Sequence, residues 1–441
     1  MKKLPKILFL LVIFALSAVL SLGMLFAGPS EAGANERLAN KPVLMQRDGT
    51  VNENYLADWA GFINDRFFLR QELISLHNRL NTAIFGVTGT EDVILGEEGW
   101  LFYGTTVDDY TGQNQMTQRE LFGAANNLAL IQEACTARGQ TFAFVIAPNK
   151  NSLYPEYMPD LGLKAEQTDA QKILALLAEK GVNTVDLYAA FGAEEEALYF
   201  AHDSHWNSRG AALGADCINN AMGRESIYFE GEFSTAISHN GDLYEMLYPA
   251  FTDPETDPVY GGELDFTYES NATRADSVTL LTASQGEGSL LCYRDSFGNL
   301  LYPYLANSFG SCTFSRATTY DLETEAEFIV IELVERNLDY LIRYQAVYFA
   351  PEREMDAPAS RGELAVQISS EDALGGSLLV KGSLPEVPDG DSPIYILCEN
   401  AVYEAACLGE ADFGAYLPQG SEPVGVMYYQ DGVLTRWDIG Q

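Results

Sequence analysis

Two hydrophobic patterns alternate through the middle of the chain. Apolar residues at helical spacing are separated by short continuous apolar runs, which are typical of strands buried on both faces. Thr117 with Glu120, and Thr168 with Gln171, form capping boxes that each predict a helix start. The pattern predicts helices over 64–84, 117–137, 168–180, from 208 and over 335–344, and strands over 93–103 (two), 141–147, 183–188, 289–293, 328–333 and 346–350. Strands separated by helices predict an α/β fold with a mostly parallel sheet and flanking helices.

The two ends of the chain differ from this middle part. An uncharged run of 20 residues, from Ile7 to Phe26, follows Lys2, Lys3 and Lys6 and is long enough to span a bilayer. The positive-inside rule then places the rest of the chain outside the cytoplasm. The competing interpretation is a cleaved signal peptide, because small residues that suit a cleavage site follow the run.

The last part of the chain has short alternating runs separated by Gly, Pro and Asp turns, which predicts a small β domain. The predicted organisation has four parts: 1–27 as a signal-anchor or signal peptide, 28–60 as a stalk or linker, 61–355 as the catalytic domain and 363–441 as a small β-sandwich-like domain.

Charge and cysteine usage exclude several functions. With 63 acidic and 26 basic residues the net charge is −37, and no basic stripe exists to neutralise phosphates, so nucleic acid is excluded as a partner. Without Lys2, Lys3 and Lys6 the remainder carries 23 − 63 = −40. The 6 cysteines form no CxxC pattern, which argues against a structural zinc site.

The candidate chemistry lies in two short motifs. Asp203 and His205 are separated by one residue, so on an extended segment both point to the same side while His202 points away. Ser296 follows an apolar strand and precedes an apolar helix, which places its hydroxyl at the carboxyl edge of the sheet. A Ser-His-Asp triad is one interpretation, and caps or turns made by Asp203 and Ser296 are the other. Metal binding by His202, His205 and Asp203 is disfavoured, because alternate residues of an extended chain do not converge.

Several segments resemble, in order, the SGNH-hydrolase-like proteins of polysaccharide O-acetylation, the AlgJ/AlgX and DHHW-type group. They are Asp65–Arg70, Val93–Phe102, Pro148–Lys150 with Tyr154 and Pro159, Asp203–Trp206, Gly241–Leu243, Arg294–Phe297 and Val334–Arg336. Together they span about residues 60–350. Ser204 stands where the DHHW form has a histidine, so the chain is more similar to AlgJ/AlgX.

The resemblance implies an SGNH-hydrolase-like fold with permuted motif order, because the Asp-x-His pair precedes the serine. It implies that Ser296 is the nucleophile, His205 the general base and acid, and Asp203 the group that orients His205. Further oxyanion or substrate candidates are the N–H groups of Ser296 and Phe297 and the side chains of Arg294, Asn149, Lys150 and Trp206. No cofactor or metal is expected.

The function implied by the resemblance is extracytoplasmic O-acetylation of a cell-envelope or secreted polysaccharide. The acetyl group would come from a membrane-bound O-acyltransferase partner, and the N-terminal segment would hold the protein at the membrane. Two alternatives stay open: a carbohydrate acetylesterase, and a non-catalytic glycan-binding or scaffold protein of an assembly complex. The strong negative charge favours a neutral or amino-sugar polymer over acidic alginate as the acceptor.

Overall fold

The computed structural model of the protein describes residues 4–33, 36–355 and 357–440. Its helices are α1 (Leu4–Phe26), α2 (Tyr55–Asn64), α3 (Arg70–Phe85), α4 (Val107–Thr111), α5 (Gln118–Ala137), α6 (Lys150–Leu153), α7 (Asp169–Glu179), α8 (Leu187–Gly192), α9 (Ser208–Ala221), α10 (Asp242–Leu247), α11 (Gly298–Ser308) and α12 (Tyr340–Arg343).

The strands fall into a first group that precedes α12 and a second group that follows it. The first group is β1 (Val93–Leu95), β2 (Leu101–Tyr103), β3 (Thr141–Ala147), β4 (Thr184–Val185), β5 (Phe233–His239), β6 (Glu255–Tyr260), β7 (Phe266–Tyr268), β8 (Thr279–Ser284), β9 (Ser289–Tyr293), β10 (Ser311–Ser315) and β11 (Phe328–Val334). The second group is β12 (Ser360–Arg361), β13 (Gln367–Ala373), β14 (Ser377–Ser383), β15 (Ile394–Cys398), β16 (Val402–Leu408), β17 (Asp412–Pro418), β18 (Pro423–Gln430) and β19 (Val433–Asp438).

A mostly parallel central sheet organises the larger part of the chain, as predicted. Its strand order is β4-β3-β11-β9-β10-β8-β7, and pairing is parallel from β4 to β10 and antiparallel at β8 and β7. Buried side chains from α9 and α11 form the core on one face, and those from α5 and α7 form it on the other. The carboxyl ends of β3, β9 and β11 therefore meet at one edge, where open α/β sheets bind ligands.

The predicted elements with the strongest local signals are confirmed. Both capping boxes are formed: Thr117 accepts from the Glu120 N–H at the start of α5, and Thr168 accepts from the Gln171 N–H at the start of α7. β3 and β9 have the predicted bounds, and β11 is one residue longer than predicted. These segments are buried on both sheet faces, so their continuous apolar runs carry the strand signal by themselves.

Other predicted elements differ from the structure. The strand expected over 183–188 is cut to β4, because the Asp186 side chain caps α8 instead. Residues 335–344 form a 3₁₀ turn and the four-residue α12 rather than one helix. Residues 346–350 contribute only isolated bridges, and the helix expected over 64–84 begins at Arg70, after Leu69 in the left-handed region (φ +63°).

The second strand group forms one continuous, curled sheet in the order β12-β19-β18-β15-β16-β17-β14-β13. The sheet turns at β16, whose first half pairs with β15 and whose second half pairs with β17. It packs against α5, from which Asn127 donates to the Cys407 carbonyl and Asn126 donates to Glu404. The small C-terminal β domain is confirmed, while the exact domain boundaries stay a prediction.

The N-terminal helix α1 lies outside both cores. Residues Pro5–Met24 have a mean hydropathy of 2.7 over 20 residues, and this window is not buried against the rest of the protein. By length and composition α1 can cross a membrane.

Candidate active site

The turn after β9 presents Ser296 at the carboxyl edge of the sheet. The Asp295 carboxylate shapes this turn, since it accepts hydrogen bonds from the N–H groups of Phe297 (2.9 Å) and Val334 (2.7 Å). Only glycine fits at position 298, because a Cβ there would lie 2.4 Å from the Arg294 side chain. Asp295 therefore holds the turn to itself and to the end of β11, which fixes where the Ser296 hydroxyl points.

A second segment brings the imidazole and the carboxylate to this hydroxyl. His205 Nε2 lies 2.8 Å from Ser296 Oγ, and His205 Nδ1 lies 2.7 Å from Asp203 Oδ1. The segment ends where Asn207 caps α9, and the Trp206 indole donates to the Phe297 carbonyl, which ties the histidine loop to the serine turn. The structure thus joins Ser296, His205 and Asp203 in one hydrogen-bonded chain with triad geometry.

Asp203 is the centre of the network. Its carboxylate accepts four hydrogen bonds: from Nδ1 (2.7 Å) and the backbone N–H (2.9 Å) of His205, from His239 Nε2 (2.8 Å) and from the Asp242 N–H (3.0 Å). Burial by itself would raise the pKa of Asp203, but the hydrogen bonds from the two histidines outweigh it and hold the pKa well below its usual range. Asp203 is therefore an anion at neutral pH.

Asp203 in turn sets the protonation of the residues around it. Burial opposes the charged form of His205, but the hydrogen bond and the negative charge of Asp203 outweigh it and raise the pKa of His205. The pKa of His239 is raised for the same reason. The pKa of Asp242 is raised by burial and by the neighbouring charge of Asp203, and both its oxygens accept hydrogen bonds from Ser204.

Lys150 lies beneath the segment that carries Asp203 and is buried in the protein. Its ammonium is buried and donates to the carbonyls of Leu101 (2.7 Å), Ala201 (2.7 Å) and Asp203 (3.0 Å). Burial lowers the pKa of Lys150 to about 7. The structure therefore offers no free donor of Lys150 to a substrate, because all three of its donors bind backbone carbonyls within the protein. Lys150 fixes the backbone that carries Asp203.

Two further predicted contact residues also lie away from the nucleophile. Trp206 is fully buried, with its indole N–H bonded to Phe297, so no sugar can stack on it. Asn149 is buried at the end of β3, where its N–H donates to Glu335 and its amide donates to Asp109 (3.3 Å). Within the described residues, neither side chain forms a hydrogen bond with a side chain of the triad; Trp206 binds only the backbone of Phe297, the residue after Ser296.

The predicted oxyanion donors are only partly available. The Phe297 N–H donates to the Asp295 carboxylate, so it is not a free donor. The centres of the Phe297 and His205 rings lie 4.7 Å apart. The Arg294 guanidinium binds the Asn299 side chain (2.7 Å) and the Ala275 carbonyl (2.6 Å), and therefore braces the turn. The Ser296 N–H forms no hydrogen bond with any residue that the structure describes.

Sequence reasoning missed three residues around the triad: His239, Asp242 and Arg336. The Arg336 guanidinium lies 5.6 Å from the centre of the Phe297 ring and 5.4 Å from that of Tyr103, and its charge acts on His205. No acidic partner binds it within the described part of the chain. Arg336 and Asp242 lie in segments that carry the family resemblance, but no local sequence pattern predicts that their side chains lie near Ser296.

Metal binding at the triad would require the hydrogen bonds to be broken. Donor atoms of Asp203, His205 and Asp242 lie within 4.8 Å of one another, which is a separation that an ion could bridge. Those atoms already bind each other, Ser204 and His239. His202 points elsewhere, with Nδ1 3.3 Å from the Asp253 carbonyl, so the set of His202, His205 and Asp203 does not converge.

Comparison with known proteins connects this geometry to a family. Residues 93–287 match the family described as "SGNH hydrolase-like domain, acetyltransferase AlgX". Over these residues the chain is similar to the AlgJ/AlgX group. The matched region contains Asp203 and His205 and ends shortly before the strand that leads to Ser296.

Individual relatives carry related names. The chain is 25% identical over 171 residues to the "Probable alginate O-acetylase AlgJ" of Pseudomonas putida, and the match covers 36% of this chain and 43% of that protein. The chain therefore matches less than half the length of that relative. Among solved structures, a DHHW family protein from Eubacterium siraeum is 17% identical, with a TM-score of 0.44 and coverage of 59% of this chain and 98% of that one. The O-acetyltransferase domain of Pseudomonas putida AlgJ is 18% identical, with a TM-score of 0.37 and coverage of 57% and 93%.

Proposed function

We propose that the protein is an extracytoplasmic O-acetyltransferase that acts on a polysaccharide through Ser296, His205 and Asp203. The observation that carries the proposal is the continuous hydrogen-bonded chain from Ser296 Oγ through both ring nitrogens of His205 to the buried Asp203 carboxylate. A serine that served only as a helix cap needs no such partners. The AlgX-type family match supports acyl transfer as the reaction class.

The reaction proceeds in two displacements at Ser296. Oγ attacks the carbonyl carbon of the acetyl donor while its proton moves to His205 Nε2. The tetrahedral oxyanion collapses, the bond to the donor's leaving group breaks, and His205 gives the proton to that group. A sugar hydroxyl then loses its proton to Nε2 and attacks the carbonyl carbon of the acetyl-serine. The second tetrahedral oxyanion collapses, the bond to Oγ breaks, and His205 returns the proton to Oγ, which leaves the sugar ester and a free Ser296. Asp203 keeps the proton on Nδ1 throughout, so Nε2 is free to accept.

Two groups are placed to stabilise the oxyanion. Among the described residues the Ser296 N–H has no acceptor, so it is available as an oxyanion donor on the nucleophile itself. The Arg336 guanidinium supplies a positive charge next to His205 and Phe297. A cavity of about 230 Å³ is lined by Ser296 together with Arg316 and Tyr340, and we assign it to the acetyl group and the reacting part of its partner.

We assign the acceptor polymer to a larger groove, whose lining carries more carboxylates than cations. Two adjoining cavities of about 820 and 280 Å³ share Glu120, Asp339 and Arg343, and the smaller one reaches Arg336. The larger one lies against the C-terminal sheet and away from the triad, so its size alone does not mark the reaction centre. Carboxylates of the two cavities would repel an acidic polymer, which supports a neutral or amino-sugar chain.

The site of action follows from α1. In this proposal α1 stays in the membrane, with the catalytic domain outside, and a membrane-bound O-acyltransferase passes the acetyl group to Ser296. The apolar length of α1 supports the anchor.

Mass spectrometry of the acetyl adduct tests the mechanism. After incubation with 4-nitrophenyl acetate, the wild-type protein is expected to gain one acetyl group on Ser296, and Ser296→Ala is expected to gain none there. Ser204→Ala is the matched control, because Ser204 lies 3.2 Å from His205 Nδ1 but bonds to Asp242. An adduct on Ser204, or unchanged ester turnover in Ser296→Ala, would refute the triad.

A second measurement separates transfer from hydrolysis. Purified protein loaded with acetyl is mixed with neutral, amino-sugar and uronic-acid oligosaccharides, and acetylated sugar is quantified against free acetate. Transfer to a neutral or amino sugar supports the proposal. Release of acetate alone, with every acceptor, would identify an acetylesterase, and no adduct in any condition would favour the scaffold alternative.

A further inference from the structure

Helix α3 carries its apolar side chains on the outside. Leu73, Leu76, Leu80 and Ile84 lie within one narrow stripe at helical spacing, and they are 40%, 51%, 51% and 65% exposed. An amphipathic helix on the surface of a soluble protein turns such a stripe toward the core. The sequence pattern correctly indicated a helix here, but its apolar face points away from the protein.

The face of α3 that meets the protein is polar and specifically bonded. Ser75 and Asn78 are buried, and they bind the Ala250 N–H and the Leu247 carbonyl respectively. Thr82 meets the Tyr248 hydroxyl at 3.0 Å. These bonds fix which side of α3 faces inward, so the outward stripe is not an accident of a loosely placed helix. The outward face therefore needs a non-aqueous partner.

The corner between α2 and α3 lies at the end of α1. The Phe68 ring packs directly on Gly23 near the end of that helix, where a Cβ would come within 2.2 Å of it. Four residues beyond α1, the Ser30 N–H donates to the Arg66 carbonyl (3.1 Å). If α1 crosses a membrane, this corner lies at the point where the chain leaves the bilayer.

Charge distinguishes this region from the rest of the chain. Residues 28–85 contain 7 acidic and 6 basic residues, for a net −1, whereas residues 86–441 contain 56 acidic and 17 basic residues, for a net −39. An anionic membrane surface repels the acidic body, but it does not repel this segment. On α2, Leu56 and Ile63 add exposed apolar groups, at 81% and 46%.

We propose that α3, together with α2, docks on the lipid bilayer from which α1 emerges, with the stripe of Leu73, Leu76, Leu80 and Ile84 inserted at the headgroup–acyl boundary. The proposal rests on the membrane-anchor part of the proposed function and not on the triad. A second copy of the chain or a helix of a partner protein is the competing occupant. Lipid is favoured because the chain itself delivers this corner to the membrane.

Fluorescence quenching by lipid tests the docking. The full chain carrying Trp59→Phe and Leu80→Trp is placed, one chain per disc, in nanodiscs of phosphatidylcholine with or without brominated acyl chains. The other tryptophans, Trp100, Trp206 and Trp437, are buried in the protein. Insertion to a depth of about 5–10 Å is expected to quench roughly half of the added tryptophan's emission. Trp59→Phe with Ile227→Trp, at a site 73% exposed, is the matched control and should change little.

Each other outcome overturns the proposal in a recognisable way. If the chain enters the discs but Leu80→Trp is quenched no more than Ile227→Trp, α1 anchors the protein and α3 does not touch lipid. If the chain does not enter the discs, both the anchor and the docking fail, while the acetyl-adduct experiment on Ser296 is unaffected. Contact between chains that appears only at several chains per disc would identify a second copy as the occupant.

Discussion

Asp203→Asn is the most informative single change in the catalytic network. The carboxylate accepts four hydrogen bonds, two on each oxygen, and an asparagine offers only one acceptor oxygen. If the amide NH₂ faces His205, Nδ1 must accept and the proton moves to Nε2, which can then no longer take the Ser296 proton. If the amide oxygen faces His205, the tautomer is kept but the negative charge that stabilises the imidazolium is lost.

The expected loss of kcat is large in either orientation. In serine-protease triads the equivalent change costs about 10⁴-fold, which corresponds to about 5.4 kcal/mol of transition-state free energy. The variant also leaves at least one buried donor unpaired, the Asp242 N–H or the His205 N–H, so we expect the free energy of unfolding to fall by about 1–3 kcal/mol. The turnover of 4-nitrophenyl acetate and urea unfolding measure the two effects separately.

Asp242→Asn is the matched control for this prediction. Asp242 Oδ2 lies 3.6 Å from His205 Nδ1, beyond hydrogen-bonding distance, and both its oxygens accept from Ser204. We expect a loss of about tenfold or less, because only a through-space charge is removed. Equal losses in the two variants, or a larger loss in Asp242→Asn, would refute the assignment of Asp203 as the orienting group.

Three further predictions concern the same network. Because the pKa of His205 is raised above the ordinary histidine value of 6.5, its neutral form should become abundant only above that pH. Ester turnover should therefore rise with pH through an acid limb whose midpoint lies above 6.5. A midpoint below 6.5 would contradict the contact with Asp203. His239→Leu removes a hydrogen-bond donor from Asp203, so the carboxylate should hold the His205 proton more tightly and the acid limb should move to higher pH. His239→Gln keeps a donor and should show most of the wild-type pH profile. If the two variants have the same pH profile, His239 is merely structural. Lys150→Met removes the ammonium from the carbonyls of Leu101, Ala201 and Asp203, of which the Ala201 carbonyl keeps the Leu101 N–H as a donor. The free energy of unfolding should fall by about 2 kcal/mol or more in urea titration, and unchanged stability would contradict the role of Lys150 beneath the loop.

Local signals made the central fold predictable. The runs that became β3 and β9 lie between two helical layers, so every residue is apolar and the strand bounds can be read directly. The boxes at Thr117 and Thr168 fix the first turns of α5 and α7, because both partners lie within four residues. Residues 183–188 were mispredicted because an Asp186 cap competed with a weak strand pattern.

The candidate site was predictable where residue spacing determines geometry, and unpredictable where it does not. Asp203 and His205 share a side of one segment, so their contact follows from the sequence. His239 and Arg336 reach the site from distant segments, and no local pattern directs them. Lys150 and Trp206 were open candidates for one reason, since a motif places a residue near the site without showing whether its side chain faces the cleft or the core.

Helix α3, which we propose docks on lipid, is separated from Asp203 by one short helix, α10. α3 binds the end of α10, through Asn78 at the Leu247 carbonyl, and the Asp242 N–H at the start of α10 donates to Asp203. Six residues of helix span about 9 Å, so a surface docked on lipid through α3 holds the Asp203 carboxylate close to that lipid. Under the proposed function, an acetyl donor delivered by a membrane protein would then reach Ser296 close to the bilayer. The outward apolar face of α3 and the buried Asp203 carboxylate are therefore connected through α10. The docking that we propose would set the distance between Ser296 and the bilayer.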